Sequence, residues 1–493
     1  MGSMLDSLKI IARDIGSILI IVGIATLPSL IVPAVFAEYE ALPPFGLTCI
    51  VYLCLGAFLY LLCRKAGETK LRHAMSTAAL GWLIVSLIGA IPFLFMSESG
   101  IGIGMDLLSA IFESVSGWTG TGLTMVVHEN NLPHSLQFWR TLIQWIGGVG
   151  VIVLTIAILA RPGTGSFVLY RSEAREQKIK PSVISTVRTI WKIYIIYTIA
   201  GVVALAILGK LTDGGMGIWE AVNHAMTAIA TGGFSVTDNS MASYNLATQI
   251  TIMFLMVLGA IAFVAHYDLL NGKVKKFFSD AQTRALLILI FVGSAILILV
   301  NLKSLEAACI AEKSFFQFIS AITCTGFSTA DISQWNELSK TLLSLAMITG
   351  GAAGSTAGGI KLFRFILLLK GTGWRIIKSL SSPYRVIVYR FGKKSISVEE
   401  AFEIVNESAI ITFMWLILLF VGTFVISYTL PERTITDVFF EVCSAQGNVG
   451  LTCGITNPSM PDLAKIMLIL NMWIGRLEII PVLVLLRSIT GRE

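Results

Sequence analysis

Charge is what this sequence has least of. Asp, Glu, Lys and Arg make up 13% of its 493 residues, against about 25% in soluble proteins. So little charge cannot coat a soluble surface of this size. That excludes the three-domain soluble protein which the length alone would allow at roughly 150 residues per domain. Cysteine is also sparse. Cys49, Cys54, Cys63, Cys309, Cys324, Cys443 and Cys453 are odd in number and form no CxxC pair. A secreted disulfide scaffold is excluded, and these residues read as small apolar packing groups. The five histidines, His73, His128, His134, His224 and His266, show no metal-ligand spacing, which speaks against a zinc site. No Ser/His/Asp set or carboxylate pair stands out, so an enzyme is not expected.

What the chain has is apolar length. Apolar residues make up 55% of it, and the mean hydropathy is +0.80. Runs of about 20 apolar residues read as membrane helices. Ten are expected, near 10–36, 45–63, 73–96, 135–161, 185–210, 248–270, 281–303, 338–370, 403–430 and 462–487. An even number of crossings puts both termini on one side. The segments between odd and even spans hold 2 Lys/Arg against 16 Asp/Glu, while basic residues collect on the other side at 64–72, 161–192, 273–284 and 361–394. By the positive-inside rule both termini are cytoplasmic. The net charge of +6 is therefore membrane topology rather than a nucleic-acid signal. The stretch 361–394 has nine basic residues and no acid. It reads as a topology anchor and, more sharply, as a docking surface for a cytoplasmic partner.

Four of the acidic-side segments repeat one another without gaps. A hydroxyl residue stands first: Ser116, Thr227, Ser320, Ser444. A small residue follows: Gly117, Ala228, Ala321, Ala445. Six positions after the hydroxyl comes a glycine: Gly122, Gly233, Gly326, Gly450. A large apolar residue is next, Leu123, Phe234, Phe327 or Leu451, and a second hydroxyl closes the copy: Thr124, Ser235, Ser328, Thr452. Five agreeing columns in four copies signal internal repetition. The glycines are 111, 93 and 124 residues apart, and each lies between two spans. Two crossings per unit return the chain to its starting side, so all four loops enter from the same face. Parallel repeats about an axis along the membrane normal build one central pore.

The chemistry of such loops follows from their backbone. About ten residues before each glycine are apolar and helix-compatible. They can form a half-helix dipping into the membrane, and the glycine segment returns as extended chain. Irregular backbone is tolerated at membrane depth only where it is buried or lines a cavity. Four returning strands can point carbonyl oxygens at an axis, where the oxygens replace the water shell of a monovalent cation. The segments that would do this are Thr119, Gly120, Thr121 and Gly122; Ala230, Thr231, Gly232 and Gly233; Thr323, Cys324, Thr325 and Gly326; and Gly447, Asn448, Val449 and Gly450. None carries a charge, and none is required.

At this point the chain resembles the TrkH/KtrB superfamily of potassium transporters, over about residues 10 to 487. Two extra spans ahead of the first unit point to the TrkH branch. The third loop, Thr323 to Phe327, is close to the Thr-Val-Gly-Tyr of potassium channels, and the fourth, Gln446 to Gly450, is the least channel-like. The resemblance implies potassium as the transported ion and no organic cofactor. It also implies a prokaryotic cell membrane, a homodimer with one pore per chain, and cytoplasmic nucleotide-binding regulators of the TrkA type on a separate polypeptide. The expected architecture is an all-α multi-pass membrane protein. Two extra helices (1–66) precede four pore repeats at 67–165, 166–272, 273–375 and 376–493.

Two further features point to a gate. Within the eighth span five of the ten residues from 350 to 359 are glycine, and each interior glycine costs a helix roughly 1 kcal/mol against alanine. Two half-helices joined by a mobile loop are expected there, with Gly350, Gly351, Gly354, Ser355, Thr356, Gly358 and Gly359 as the gate. It is not a phosphate-binding P-loop, because Ile360 stands where lysine is needed. The family places its intramembrane gating loop at this position. Arg476 lies at the centre of the last span with Glu478 nearby. A charge there is costly and should face the bundle interior. Its expected partners are the freed carbonyls of 350–359, with an ion pair to Glu478 as the other possibility. The family carries an arginine here that blocks or braces the gate. The competing function is a sodium- or proton-coupled secondary carrier with discontinuous helices, but those often show inverted repeats and intramembrane acids.

Overall fold

A computed structural model describes residues 2–97, 100–101, 104–150, 183–302, 309–382, 388–391 and 394–489. The fold is helical, with two short antiparallel hairpins, Met96–Ser97 with Gly100–Ile101 and Tyr389–Phe391 with Lys394–Ile396. Two long apolar helices, Gly2–Thr26 and Leu42–Cys63, come first and pack closely on each other. Then one pattern occurs four times: a leading helix, a half-helix, an extended return and a trailing helix.

The leading helices are Leu71–Gly89, Val183–Leu211, Ala281–Asn301 and Val398–Thr429. The half-helices are Leu107–Thr119, Ile218–Ile229, Ile310–Ile322 and Ile435–Gln446. At 12 or 13 residues each, and about 1.5 Å per residue, they cannot cross an apolar layer of about 30 Å. Side-chain caps fix where two of them begin. Asp106 accepts from the Ser109 N–H and Thr434 from that of Asp437, each meeting a donor that a helix start leaves unpaired. Phe112, Phe316 and Phe440, at equivalent places, are fully buried.

The trailing helices begin at His134, Leu246, Glu337 and Asp462. The fourth residue of three of them ties its unit to the next half-helix in rotation. The Gln137 side-chain oxygen Oε1 accepts from Trp219 Nε1 at 2.7 Å. The Lys340 ammonium meets Asp437 at 2.6 Å, and that of Lys465 meets the Ser109 hydroxyl at 2.9 Å. The last tie closes the fourth unit onto the first.

All four trailing helices stop short. The first ends at Val149, before Gly150. The second is Leu246–Ala260 and then Phe263–Leu270, bent by 107°. The third is Glu337–Thr349 and, after the glycine-rich segment, Leu362–Leu380. The fourth is Asp462–Arg476 and then Ile480–Ile489, also bent by 107°. The sequence reading expected a break in the third alone. The second break contains no glycine, and its freed groups are met by another part of the chain. The Ala260 carbonyl accepts from the Ala352 N–H at 2.9 Å, and the Phe263 N–H donates to the Gly354 carbonyl at 3.0 Å. Among the described residues six helices are long and apolar enough to cross a membrane, or up to eight with each bent pair counted as one. Of the other two expected crossings, 135–161 runs beyond the described residues and 338–370 is the broken one.

Candidate functional site

Each half-helix hands over to its return strand in the same way. The N–H before the glycine donates to the carbonyl of the repeated hydroxyl residue: Thr121 to Ser116 at 2.8 Å, and Gly232 to Thr227, Thr325 to Ser320 and Val449 to Ser444 at 2.9 Å. The residue two before the glycine is left-handed in every copy, with φ of 71° at Gly120, 49° at Thr231, 53° at Cys324 and 52° at Asn448. The glycines follow at 92°, 77°, 92° and 100° for Gly122, Gly233, Gly326 and Gly450. Two left-handed residues in three turn the chain out of the helix, and the second of them is glycine each time.

Contacts between loops show why. A Cβ on Gly122 would stand 2.1 Å from the Gly232 oxygen. One on Gly233 would stand 2.0 Å from the Thr325 oxygen, one on Gly326 2.1 Å from the Val449 oxygen, and one on Gly450 2.5 Å from the Thr121 oxygen. The loops therefore meet in the order first, second, third, fourth and back to first. Each glycine leaves room for one carbonyl of its neighbour, which makes a closed ring.

The return strands are braced from behind. The hydroxyls of Ser116, Ser320 and Ser444 accept from the N–H of Gly122 (3.0 Å), Gly326 (3.1 Å) and Gly450 (3.0 Å). The second loop departs, since the Thr227 hydroxyl donates to the Phe234 carbonyl at 2.9 Å.

The glycine-rich segment lies against this ring. The Gly359 N–H donates to the Gly447 carbonyl at 3.0 Å, and the Thr356 N–H to Gly259 at 3.2 Å. The Thr356 hydroxyl donates to the carbonyls of Ile229 (3.0 Å) and Gly259 (2.9 Å) and meets the Thr231 hydroxyl at 3.0 Å. Gly350, Gly354 and Gly359 are left-handed, with φ of 69°, 77° and 75°. Gly358 sits so close to the Gly447 oxygen that a Cβ would approach it to 2.0 Å, and one on Gly351 would approach Ala357 Cβ to 2.5 Å. The Ser355 hydroxyl caps locally onto Ala352 O at 2.6 Å. Arg476 reaches the Thr356 carbonyl at 3.3 Å and the Gly148 carbonyl at 2.9 Å, and also bonds the Gly147 carbonyl. It therefore clasps the end of the first trailing helix together with the glycine-rich segment. Arg476 ends the first segment of the broken fourth trailing helix, where a cation suits the helix dipole. One correction follows. Glu478 pairs with Arg364 and not with Arg476. Glu478 and Ile479 are left-handed residues in the bend after Arg476, which turns Glu478 away.

The sequence profile described as "TrkH: cation transport protein" matches residues 42–491. The chain belongs to the TrkH family. It is 33% identical to the Trk system potassium uptake protein TrkH of Escherichia coli, over 98% of this chain and 99% of that one. It is 37% identical to an uncharacterized cation transporter of Methanocaldococcus jannaschii, over 97% of this chain and 95% of that one. The crystal structure of the potassium transporter TrkH from Vibrio parahaemolyticus superimposes with a TM-score of 0.82 at 28% identity, covering 98% of this chain and all of that one. This is the TrkH branch of the superfamily, and the chain is a membrane transporter rather than an enzyme.

This TrkH-family chain also carries site residues that sequence reasoning missed. Nine positions before each ring glycine stands a polar residue: Glu113, His224, Gln317 and Glu441. Glu113 accepts from the Met125 N–H (2.7 Å) and Glu441 from that of Cys453 (3.0 Å). His224 Nε2 meets the Ser235 hydroxyl at 2.9 Å. The Gln317 side-chain oxygen, turned toward the backbone, accepts from the Thr329 N–H at 2.8 Å. All four pin the strand beyond the ring, and a polar column on an apolar half-helix was the available signal. Arg140, 1% exposed, has no counterpart in the other units. It donates to Glu113 at 2.8 Å and to the Ser235 carbonyl at 2.9 Å, which joins the first loop to the second. A buried guanidinium needs such a full set of acceptors. Among the described residues no three His, Cys, Asp or Glu gather as a metal site. Of the basic stretch, Arg375 and Lys378 stand over the Phe402 ring at 4.7 and 5.2 Å. Arg385 and the Arg390 side chain lie outside the described residues.

Proposed function

We propose that this chain carries potassium ions across a prokaryotic cell membrane, through a filter made by its four loops. The observation that carries the reading is the closed ring, in which each glycine admits a neighbour's carbonyl oxygen. A ring of backbone oxygens replaces the water shell of a dehydrated monovalent cation without any charged side chain. The half-helices aim their C-terminal ends at the same place, adding negative potential. Relatives named as potassium uptake proteins match end to end, which supports potassium as the ion. The ligands are the backbone carbonyls of residues 119–122, 230–233, 323–326 and 447–450.

The segment 350–359 is the gate. It lies directly against Gly447, Ile229 and Thr231 at the ends of two half-helices, and Arg476 holds it there in the closed state. The four units at 67–165, 166–272, 273–375 and 376–493 share one orientation, with both termini cytoplasmic. Two chains pair, each keeping its own pore. A nucleotide-binding regulator of the TrkA type docks at the basic stretch 361–394.

The test is rubidium uptake with sodium competition in cells lacking their own potassium uptake. Wild-type protein should restore uptake that sodium competes with poorly. Gly233→Ser and Gly326→Ser should lose that preference, because a Cβ intrudes on the ring carbonyls. Unchanged relative uptake of the two ions in both variants would remove the filter from these loops.

A further inference from the structure

The second quadrant of the ring is built differently from the other three. The eleventh residue of each trailing helix is fully buried. In three units it is a fully buried methionine, Met256, Met347 or Met472, and in the first it is Gln144, equally buried. The residue just before the ring glycine varies in step. It is Thr121, Thr325 or Val449, all fully buried, in three loops, but Gly232 in the second. The two departures touch. A Cβ on Gly232 would fall 2.1 Å from Gln144 Cδ, so the glutamine fills the space that a side chain occupies in the other loops.

Gln144 uses that space to bond the backbone. Its Nε2 donates to the Gly232 carbonyl at 2.6 Å, and its Oε1 accepts from the Phe234 N–H at 2.9 Å. The side-chain amide thus pairs with both residues flanking Gly233, as a neighbouring strand would. The second loop needs a brace from outside because Thr227 bonds Phe234 O and not the ring glycine. The Gly232 oxygen is also one of the four that close the ring, 2.1 Å from where a Gly122 Cβ would lie. A carbonyl has two lone pairs. The one given to Gln144 is unavailable to an ion, and the bond fixes where the oxygen can stand.

We propose that Gln144 is a positioning residue for ion selectivity, holding the Gly232 carbonyl and lowering the field it offers to a cation in that quadrant. The proposal rests on the filter reading above. Discrimination between cations depends on the number and field strength of the coordinating carbonyls. An asymmetric ring with one stiffened oxygen therefore differs in preference from a symmetric one.

The test replaces the odd quadrant with the common one. Gln144→Met, measured by rubidium uptake against sodium, should lower ion preference about five-fold, the worth of one net hydrogen bond, at an unchanged amount of protein in the membrane. Gly232→Thr alone should reduce folded protein, because its side chain collides with Gln144. The double variant Gln144→Met/Gly232→Thr should recover folded protein while its ion preference stays lowered, because the carbonyl at position 232 still lacks the amide bond. A purely structural role for Gln144 would change protein amount and leave preference alone, and that result overturns the proposal. Gln144→Leu, also apolar and of similar volume, gives the same readout should the methionine variant fail to fold. Gly326→Ser runs alongside. If it loses preference while both Gln144 variants keep it, the Gln144 proposal fails and the filter stands. If Gly326→Ser also keeps wild-type preference, the filter reading itself fails.

Discussion

Gly120 and Gly122 give a controlled test of the ring, since both have positive φ and they differ in surroundings. Both are left-handed, with φ of 71° and 92°. A Cβ on Gly120 meets nothing within 4 Å, whereas one on Gly122 stands 2.1 Å from the Gly232 oxygen. The other loops already carry side chains at the Gly120 position, in Thr231, Cys324 and Asn448. Gly120→Ala therefore costs only left-handed strain, about 1–2 kcal/mol, and should shift ion preference less than about two-fold. Gly122→Ala carries positive-φ strain as well, and adds a collision. Real Cβ contacts do not fall below 3.0 Å, so the neighbouring carbonyl must retreat by roughly 1 Å in a close-packed site. Functional constellations tolerate about 0.5 Å. Preference for rubidium over sodium should fall about ten-fold or more, or about 1.4 kcal/mol. The assay is competitive uptake in a strain without potassium uptake, normalised to membrane-inserted protein. Equal shifts in the two variants would trace the loss to backbone strain and refute the argument from the ring.

Three more outcomes are expected. Deleting Gly351 to Ser355 should raise leak flux, and Arg476→Ala should do so more mildly, with ion preference near wild type in both. A deletion variant that folds yet conducts at or below the wild-type level returns this segment to helix packing. Replacing Arg375, Lys378, Arg385 and Arg390 with Gln should weaken co-purification of a cytoplasmic regulator, more so at high salt because exposed charges are screened. Full retention at low and high salt leaves these residues a topology role only. Burial pushes the Glu129 carboxyl up to about 7 from its ordinary 4.5, and the Arg140 guanidinium only partly offsets this. The folded chain then holds more protons than the unfolded one between those values, so the Glu129 contribution to stability falls as pH rises from about 4.5 to 7. Glu129→Gln should flatten that part of the thermal-unfolding profile in detergent, and an unchanged slope would contradict the assignment.

The ring was legible because its demands are local. A left-handed glycine, a hydroxyl six residues before it and a small residue beside that hydroxyl are short-range requirements, and four copies made them visible. The break at 350–359 showed itself for the same reason, through its glycines. The break at Ile261–Ala262 did not, because residues 352–356 meet its backbone groups from far along the sequence. The bend after Arg476 was hidden for a similar reason, since it is held by the non-glycine residues Glu478 and Ile479. The polar column of Glu113, His224, Gln317 and Glu441 performs one task with three kinds of side chain, so identity hid it. Gln144 lies outside the five-column loop pattern, on a trailing helix. Its one trace was Gly232, a glycine where the other loops hold threonine or valine.

The central claim is that the four carbonyls of Thr121, Gly232, Thr325 and Val449 surround a transported ion. Anomalous diffraction from crystals grown with rubidium or thallium locates such an ion directly. The account predicts a peak on the axis of the ring, within coordination distance of those oxygens, that weakens when sodium replaces potassium in the buffer. A bound ion elsewhere in the chain, with the ring empty at saturating rubidium, would contradict it.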